Sequence, residues 1–94
     1  MPLVKVRFYS LWKKFLEIDQ TTIEANDVND ALVQLDENYG AKLRDQMLKH
    51  GITIKGSIQN YSLILINGIS IKSYKCAELK EGDILQVFPY TAGG

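Results

Sequence analysis

Cysteine is almost missing from this chain, with Cys76 the one thiol in 94 residues. A single cysteine excludes an internal disulfide framework and any all-cysteine iron–sulfur cluster, which needs four thiolates. It fits a reducing compartment, and the expected location is the cytoplasm. With no basic cluster beside it, Cys76 reads as a small loop or core residue rather than a nucleophile. Histidine is equally scarce. His50 stands alone at an expected helix end, where a cation is simply stabilised. Charge of one sign is lacking too, since 11 Lys and Arg balance 11 Asp and Glu. No basic field remains to hold nucleic acid or an anionic membrane, so neither is an expected partner. Leu63-Ile64-Leu65-Ile66 is far short of a membrane span. The stretch from Met1 to Arg7 alternates where a secretory leader would be continuously apolar. Catalytic and metal-binding groupings are also wanting. Glu17, Asp19 and Asp27 do not converge by spacing, and Asp83 lacks companions for a metal.

What is present is a globular composition, 46% apolar and 23% charged. Ninety-four residues make one domain, 1–94, with room for one core. From Leu3 to Tyr9 the pattern has period two. Val4, Val6 and Phe8 face inward and Lys5, Arg7 and Tyr9 outward, as in a half-buried strand. Residues Ser10 to Lys14 read as a connection. A second strand is expected from Glu17 to Ala25, with Leu16, Ile18, Gln20 and Thr22 on one phase. Ile23 and Ala25 break that phase, which predicts a bulge or an early end.

The clearest helix follows Asn26. Asp27 suits the N-cap, and Asp30 sits in the first turn. Val28, Ala31, Leu32, Leu35 and Tyr39 form one apolar stripe, and Gly40 is the expected stop. Ala41 to His50 predicts a shorter helix, with Leu43, Met47 and Leu48 inward and Gly51 ending it. Ile52 to Asn60 reads as irregular. Tyr61 to Asn67 returns as a strand, and its four aliphatics imply cover on both faces, or cover of one by a partner. Asn67-Gly68 is a hairpin signal leading to a short strand from Ile69 to Ile71. Ser73 to Leu79 is a loop, and Gly82-Asp83 is a turn. Ile84 to Phe88 is a last strand closed by Pro89, which has no N–H to give. The class is α+β, a mixed sheet of four to five strands curled around one main helix, with the first and last strands side by side.

A tail over 90–94 follows, expected to be flexible and to end in Gly93-Gly94. A frayed terminus is the plain reading. The chemical one is that two residues without Cβ atoms make the thinnest peptide possible, able to thread a narrow channel. A carboxylate at Gly94 could then attack the α-phosphate of ATP in a partner's active site, making an acyl-adenylate open to a sulfur donor.

Val4-Lys5-Val6-Arg7-Phe8-Tyr9, the Asn67-Gly68 turn, Leu79-x-x-Gly82-Asp83, the Phe88-Pro89 step and the final Gly93-Gly94 together resemble the MoaD/ThiS sulfur carriers. The order of elements resembles the β-grasp, or ubiquitin-like, fold. Length and the strand–loop start are more similar to MoaD, the small subunit of molybdopterin synthase. Two features depart from that pattern: Tyr90 stands where a second proline is common, and Ala41 to Asn60 is long. The resemblance implies a chain that binds no cofactor itself. Its partners would be an adenylating enzyme of the ubiquitin-activating type, which uses ATP, and the large subunit of molybdopterin synthase. Gly94 would carry first an adenylate and then a thiocarboxylate, with Gly93 beside it. Phe88, Tyr9, Pro89, Tyr90, Thr91, Ala92 and Arg7 would meet partners. Two other readings stay open: a carrier or protein modifier serving another pathway, and an interaction domain with an inert tail.

Overall fold

The computed structural model describes residues 1–73 and 78–90. Strands β1 (Leu3–Phe8), β2 (Gln20–Glu24), β3 (Ser62–Ile66), β4 (Ile69–Ser70) and β5 (Ile84–Pro89) form one sheet in the order β2-β1-β5-β3-β4. Only β1 and β5 run parallel; the other pairs are antiparallel. The first and last strands therefore meet at the centre, as expected. Val4, Val6, Leu85 and Val87 are fully buried on the inner face, so the apolar phase of both central strands is as the sequence implies.

That inner face is covered by the expected main helix together with two further helices, of which only the one before β2 was not expected. α1 (Ser10–Leu16) replaces the expected connection. Trp12, Phe15 and Leu16 are buried at the spacing of one helix face. Trp12 is 1% exposed, and its Nε1 donates to Ser62 Oγ at 2.8 Å. The helix ends at Glu17 in the left-handed region (φ 60°). β2 consequently starts later than predicted, and its phase is inverted: Ile23 and Ala25 are the buried residues. No bulge forms, because β1 and β2 pair without interruption from Leu3↔Glu24 to Arg7↔Gln20.

α2 (Val28–Leu35) carries the expected cap, Asp30 N–H donating to Asp27 Oδ1 at 2.8 Å. Its stripe is buried, and Tyr39 meets Phe8 edge to face at 5.2 Å. Gly40 does not stop it. The chain stays helical through a π-turn (Asp36–Gly40) into α3 (Ala41–Lys49). Gly40 has ordinary right-handed geometry (φ −59°). It is glycine for another reason: a Cβ there would press into the Asp36 carboxylate. That carboxylate accepts from Arg44 Nη1 at 3.1 Å and from the Ile58 N–H at 2.9 Å. Arg44 Nη1 also donates to Gly56 O at 3.1 Å. Hydrogen bonding to Tyr61 and then to Asp36 pushes the guanidinium pKa above its ordinary value, so its charge is fixed. These bonds tie the segment after α3 down and put Ile58 fully inside. From α3, Leu43 is buried and Met47 packs on the core, but Leu48 is 60% exposed, against expectation. Gly51 closes the helix at positive φ.

β3 is buried on one face only: Ser62, Ile64 and Ile66 point in, while Leu63 is 38% exposed. Asn67 (φ 49°) and Gly68 (φ 85°) make the expected hairpin. Ile71 has left the strand for a 3-10 turn. Asp83 Oδ2 accepts from the Lys80 N–H, and Gly82 takes positive φ (87°), as turn chemistry requires. Cys76 and the rest of 74–77 lie outside the described residues, as do 91–94.

Candidate partner-docking site

The site is built where the two parallel central strands end together. Tyr9 N–H donates to Val87 O at 3.1 Å, so the exit of β1 lies against the end of β5. Alternation then fixes the faces. Leu85 and Val87 point into the core, and Ile84, Gln86 and Phe88 point out. Phe88 stacks on Tyr9 with ring centroids 4.2 Å apart and planes 14° apart. Both rings are half-buried. Such a pair contributes about 1 kcal/mol beyond its buried area and holds both rings in one orientation.

Pro89 is compatible with continued pairing because of where its nitrogen faces. Tyr90 N–H donates to Tyr61 O at 3.1 Å and Asn67 N–H to Ile84 O at 2.9 Å. Bonded pairs alternate along an antiparallel ladder, which makes Ser62↔Pro89 an unbonded pair on the β3 side. The missing N–H therefore costs no bond to β3. Pro89 ends pairing toward β1 but does not release the chain. Tyr90, expected in the loose tail, is held by its own backbone bond and exposes 51% of its surface.

Phe88 pairs in register with Leu63. Tyr9, Phe88 and Leu63 thus form an apolar row across three strands on the outer face. Leu63 was missed as a site residue, although the run of four aliphatics already pointed to an uncovered face. Arg7 lies on the same face and donates from Nε to Gln20 Oε1 at 3.0 Å. Beside Tyr9 an open groove of about 380 Å³ is lined by Arg7, Phe8, Tyr9, Ser10, Lys13, Asp19 and Gln20. Lys13 and Asp19 are paired within it at 2.8 Å, which leaves Arg7 as its cation without an ion pair among the described residues. Of the expected contact residues, Arg7, Tyr9, Phe88, Pro89 and Tyr90 are brought together. Thr91, Ala92, Gly93 and Gly94 lie outside the described residues. Among the described residues, no group of three or more His, Cys, Asp or Glu could hold a metal ion. No helix among them is long and apolar enough to cross a membrane.

No protein-family model matches the sequence, and no curated protein matches it. Solved structures do. The solution structure of small archaeal modifier protein 1 from Methanosarcina acetivorans is 26% identical with a TM-score of 0.70, over 100% of this chain and 98% of that one. The crystal structure of Urm1 from Sulfolobus solfataricus is 20% identical with a TM-score of 0.60, over 90% of this chain and 97% of that one. A candidate molybdopterin converting factor, subunit 1, from Pyrococcus furiosus is 23% identical with a TM-score of 0.52, over 97% of this chain and 100% of that one. The last two speak for the fold alone. A mixed sheet in the order β2-β1-β5-β3-β4 packed on α2, matched along its length by these structures, gives the chain the ubiquitin-like β-grasp fold, and at 26% identity it is similar over its whole length to a small archaeal modifier protein.

Proposed function

We propose that the protein is a sulfur carrier whose Gly94 carboxylate is activated by an ATP-dependent enzyme of the ubiquitin-activating type. The observation that carries this reading is the junction of β1 and β5. Beside it the Tyr61 carbonyl holds Tyr90 at the end of β5, next to an outward-facing row of Tyr9, Phe88 and Leu63. Four residues remain after Tyr90, Thr91-Ala92-Gly93-Gly94. Fully extended they span at most about 14 Å. That is enough to carry a carboxylate into a partner's site while the sheet face rests on the partner's surface. The apolar row then supplies docking, Arg7 meets an acidic feature beside the groove, and the last two glycines leave the reacting carbon unhindered.

The chemistry belongs to the partner. One Gly94 carboxylate oxygen attacks the α-phosphorus of ATP and pyrophosphate leaves. A sulfur nucleophile then attacks the acyl carbon and AMP leaves. The carrier needs no acid, base or metal of its own. We further propose that the thiocarboxylate serves as sulfur donor in the small subunit of a molybdopterin synthase in the cytoplasm. The length of the chain and the sequence of its start, which resemble the small subunit of molybdopterin synthase, support that arm. A second reading is favoured by the similarity to a modifier protein over the whole chain: the same adenylate is captured by a lysine amine and the chain is conjugated through Gly94.

The test is pyrophosphate exchange. A cognate adenylating enzyme should exchange labelled pyrophosphate into ATP only when this chain is present. Extending the chain by one residue beyond Gly94 should abolish the exchange. Exchange that survives the extension would place the activated group elsewhere. Adding the large synthase subunit or a lysine-bearing target afterwards separates the two arms.

A further inference from the structure

The hairpin between β3 and β4 carries a reaction that the sheet holds in check. The asparagines of the chain are Asn26, Asn29, Asn38, Asn60 and Asn67, and glycine follows only the last. Glycine has no Cβ to shield its amide nitrogen, so that nitrogen can approach the side-chain amide before it. Asn67 (φ 49°) and Gly68 (φ 85°) are both exposed at the turn. A Cβ on Gly68 would meet nothing within 4 Å among the described residues.

Hydrogen bonds around the turn keep the two reacting groups apart. The Asn67 amide is held on the β5 side, where Oδ1 accepts from the Ile84 N–H at 3.0 Å and Nδ2 donates to Asp83 Oδ1 at 3.1 Å. A donor on Oδ1 polarises the amide carbonyl, which by itself favours addition at Cγ. The nucleophile is held elsewhere. The Gly68 N–H donates to Gln86 Oε1 at 2.8 Å. Gln86 stands opposite Leu65 on β3, and its Nε2 reaches the Tyr9 hydroxyl at 3.5 Å, so its amide is oriented from both ends. The Asp83 carboxylate protects as well, since a negative charge beside the turn opposes an anion at the Gly68 nitrogen.

We propose that Asn67 is a modification site controlled by the fold, intact while Gln86 holds the Gly68 N–H and deamidated when the hairpin opens. In the open turn the Gly68 nitrogen gives its proton to hydroxide and bonds to Asn67 Cγ. The Cγ–Nδ2 bond breaks, and that nitrogen takes up a proton and leaves as ammonia. Water then opens the succinimide ring. Opening at Cγ leaves aspartate at position 67. Opening at the main-chain carbonyl leaves isoaspartate, with one extra carbon in the backbone.

Neither product fits the closed turn. A carboxylate at position 67 meets Asp83 Oδ1 where Nδ2 now donates, and like charges in contact repel. Isoaspartate lengthens a tight loop whose strands are in fixed register, Ile66 opposite Ile69. One opening is thereby made permanent. Asp83 also ties the turn to β1, because its carbonyl accepts from the Lys5 N–H at 2.9 Å, so the disturbance reaches the central strands. The hairpin lies at the start of β5, away from Pro89, and the site stands or falls independently of sulfur chemistry.

The experiment incubates the full chain in mildly alkaline buffer, folded and in urea. The peptide containing residue 67 is followed by mass and by enzymatic methylation of isoaspartate, with the other asparagines as internal controls. Conversion in urea should be at least about tenfold faster than in the folded chain. Gln86→Ala should speed conversion of the folded chain about fivefold, the effect of one lost hydrogen bond. Gln86→Glu keeps an acceptor and should retain the protection. Asn67→Asp should lower the urea midpoint, and adding Asp83→Asn should recover it, because donor and acceptor are then exchanged. Equal rates in the folded and denatured chain, conversion led by another asparagine, or a folded-chain rate untouched by Gln86→Ala would each overturn the proposal. If Gln86→Ala does not fold, the parent's two rates and the Asn67→Asp variant decide, and an unchanged midpoint in Asn67→Asp would overturn it too.

Discussion

Gly40→Ala sets two opposed effects against each other, and the structure decides their sign. In a helix interior, replacing glycine by alanine ordinarily stabilises by about 1 kcal/mol. Gly40 sits in such an interior, with right-handed geometry, so propensity alone predicts a gain. A Cβ at 40 would, however, collide with Asp36 Oδ1 and lie 3.0 Å from Arg44 Nη1. The arginine tip can move, but the short Asp36 side chain has little slack. Displacing it weakens its bond to the Ile58 N–H and its ion pair with Arg44. A hydrogen bond to a charged group contributes about 1.5–3 kcal/mol. The ion pair adds less than about 1 kcal/mol, since both side chains keep roughly a third of their surface. The loss outweighs the gain, for a net destabilisation of about 1–2 kcal/mol. Urea unfolding followed by fluorescence of the buried Trp12 should show a lower midpoint at unchanged slope. In an Asp36→Ala background the obstacle is gone, and Gly40→Ala should then stabilise by about 0.5–1 kcal/mol. A single Gly40→Ala variant at or above the parent's stability would refute the reasoning: Gly40 would then be no more than an imperfect helix residue.

Phe88→Asp should leave a folded protein, with stability reduced by about 1–2 kcal/mol from loss of the Tyr9 stack and partial burial. Binding to the adenylating enzyme, measured calorimetrically, should weaken by about 2 kcal/mol, roughly thirtyfold. Unfolding with normal affinity in the residual folded fraction would contradict the docking role. Deleting Gly93-Gly94 should leave the melting temperature within about a degree of the parent, because β5 ends at Pro89 and the last residues of a domain seldom add stability. The same deletion should remove all activation by the partner.

Most of the sheet was legible in the sequence, because period two survives wherever one face is buried. The inward phase of β1 and β5, the Asp27 cap and the Asn67-Gly68 hairpin are local signals and held. α1 was misread although Trp12, Phe15 and Leu16 sit at helical spacing. Its charged residues, Lys13 and Lys14, interrupted a short run and made it read as a loop. That error moved the start of β2 and inverted its phase. Gly40 misled because a glycine after an apolar stripe usually marks a stop, while its actual cause is the distant Ile58 N–H that Asp36 must reach. No local pattern encodes a contact 22 residues away. In the candidate site, Tyr9 and Phe88 were legible by alternation. Their stacking and the addition of Leu63 depend on strand register, which only tertiary pairing sets.

The central claim is that Gly94 carries the sulfur, and peptide mass spectrometry tests it most directly. The chain is incubated with a cognate adenylating enzyme, ATP and a sulfur donor, then digested. Replacing a carboxylate oxygen by sulfur adds about 16 Da, by the logic of an activated acyl intermediate. The account predicts this increment on the C-terminal peptide alone, dependent on ATP, and slower in Gly94→Ala. An increment of about 32 Da on the Cys76 peptide, the signature of a persulfide, or an unmodified C-terminal peptide with an enzyme that demonstrably binds the chain, would contradict it.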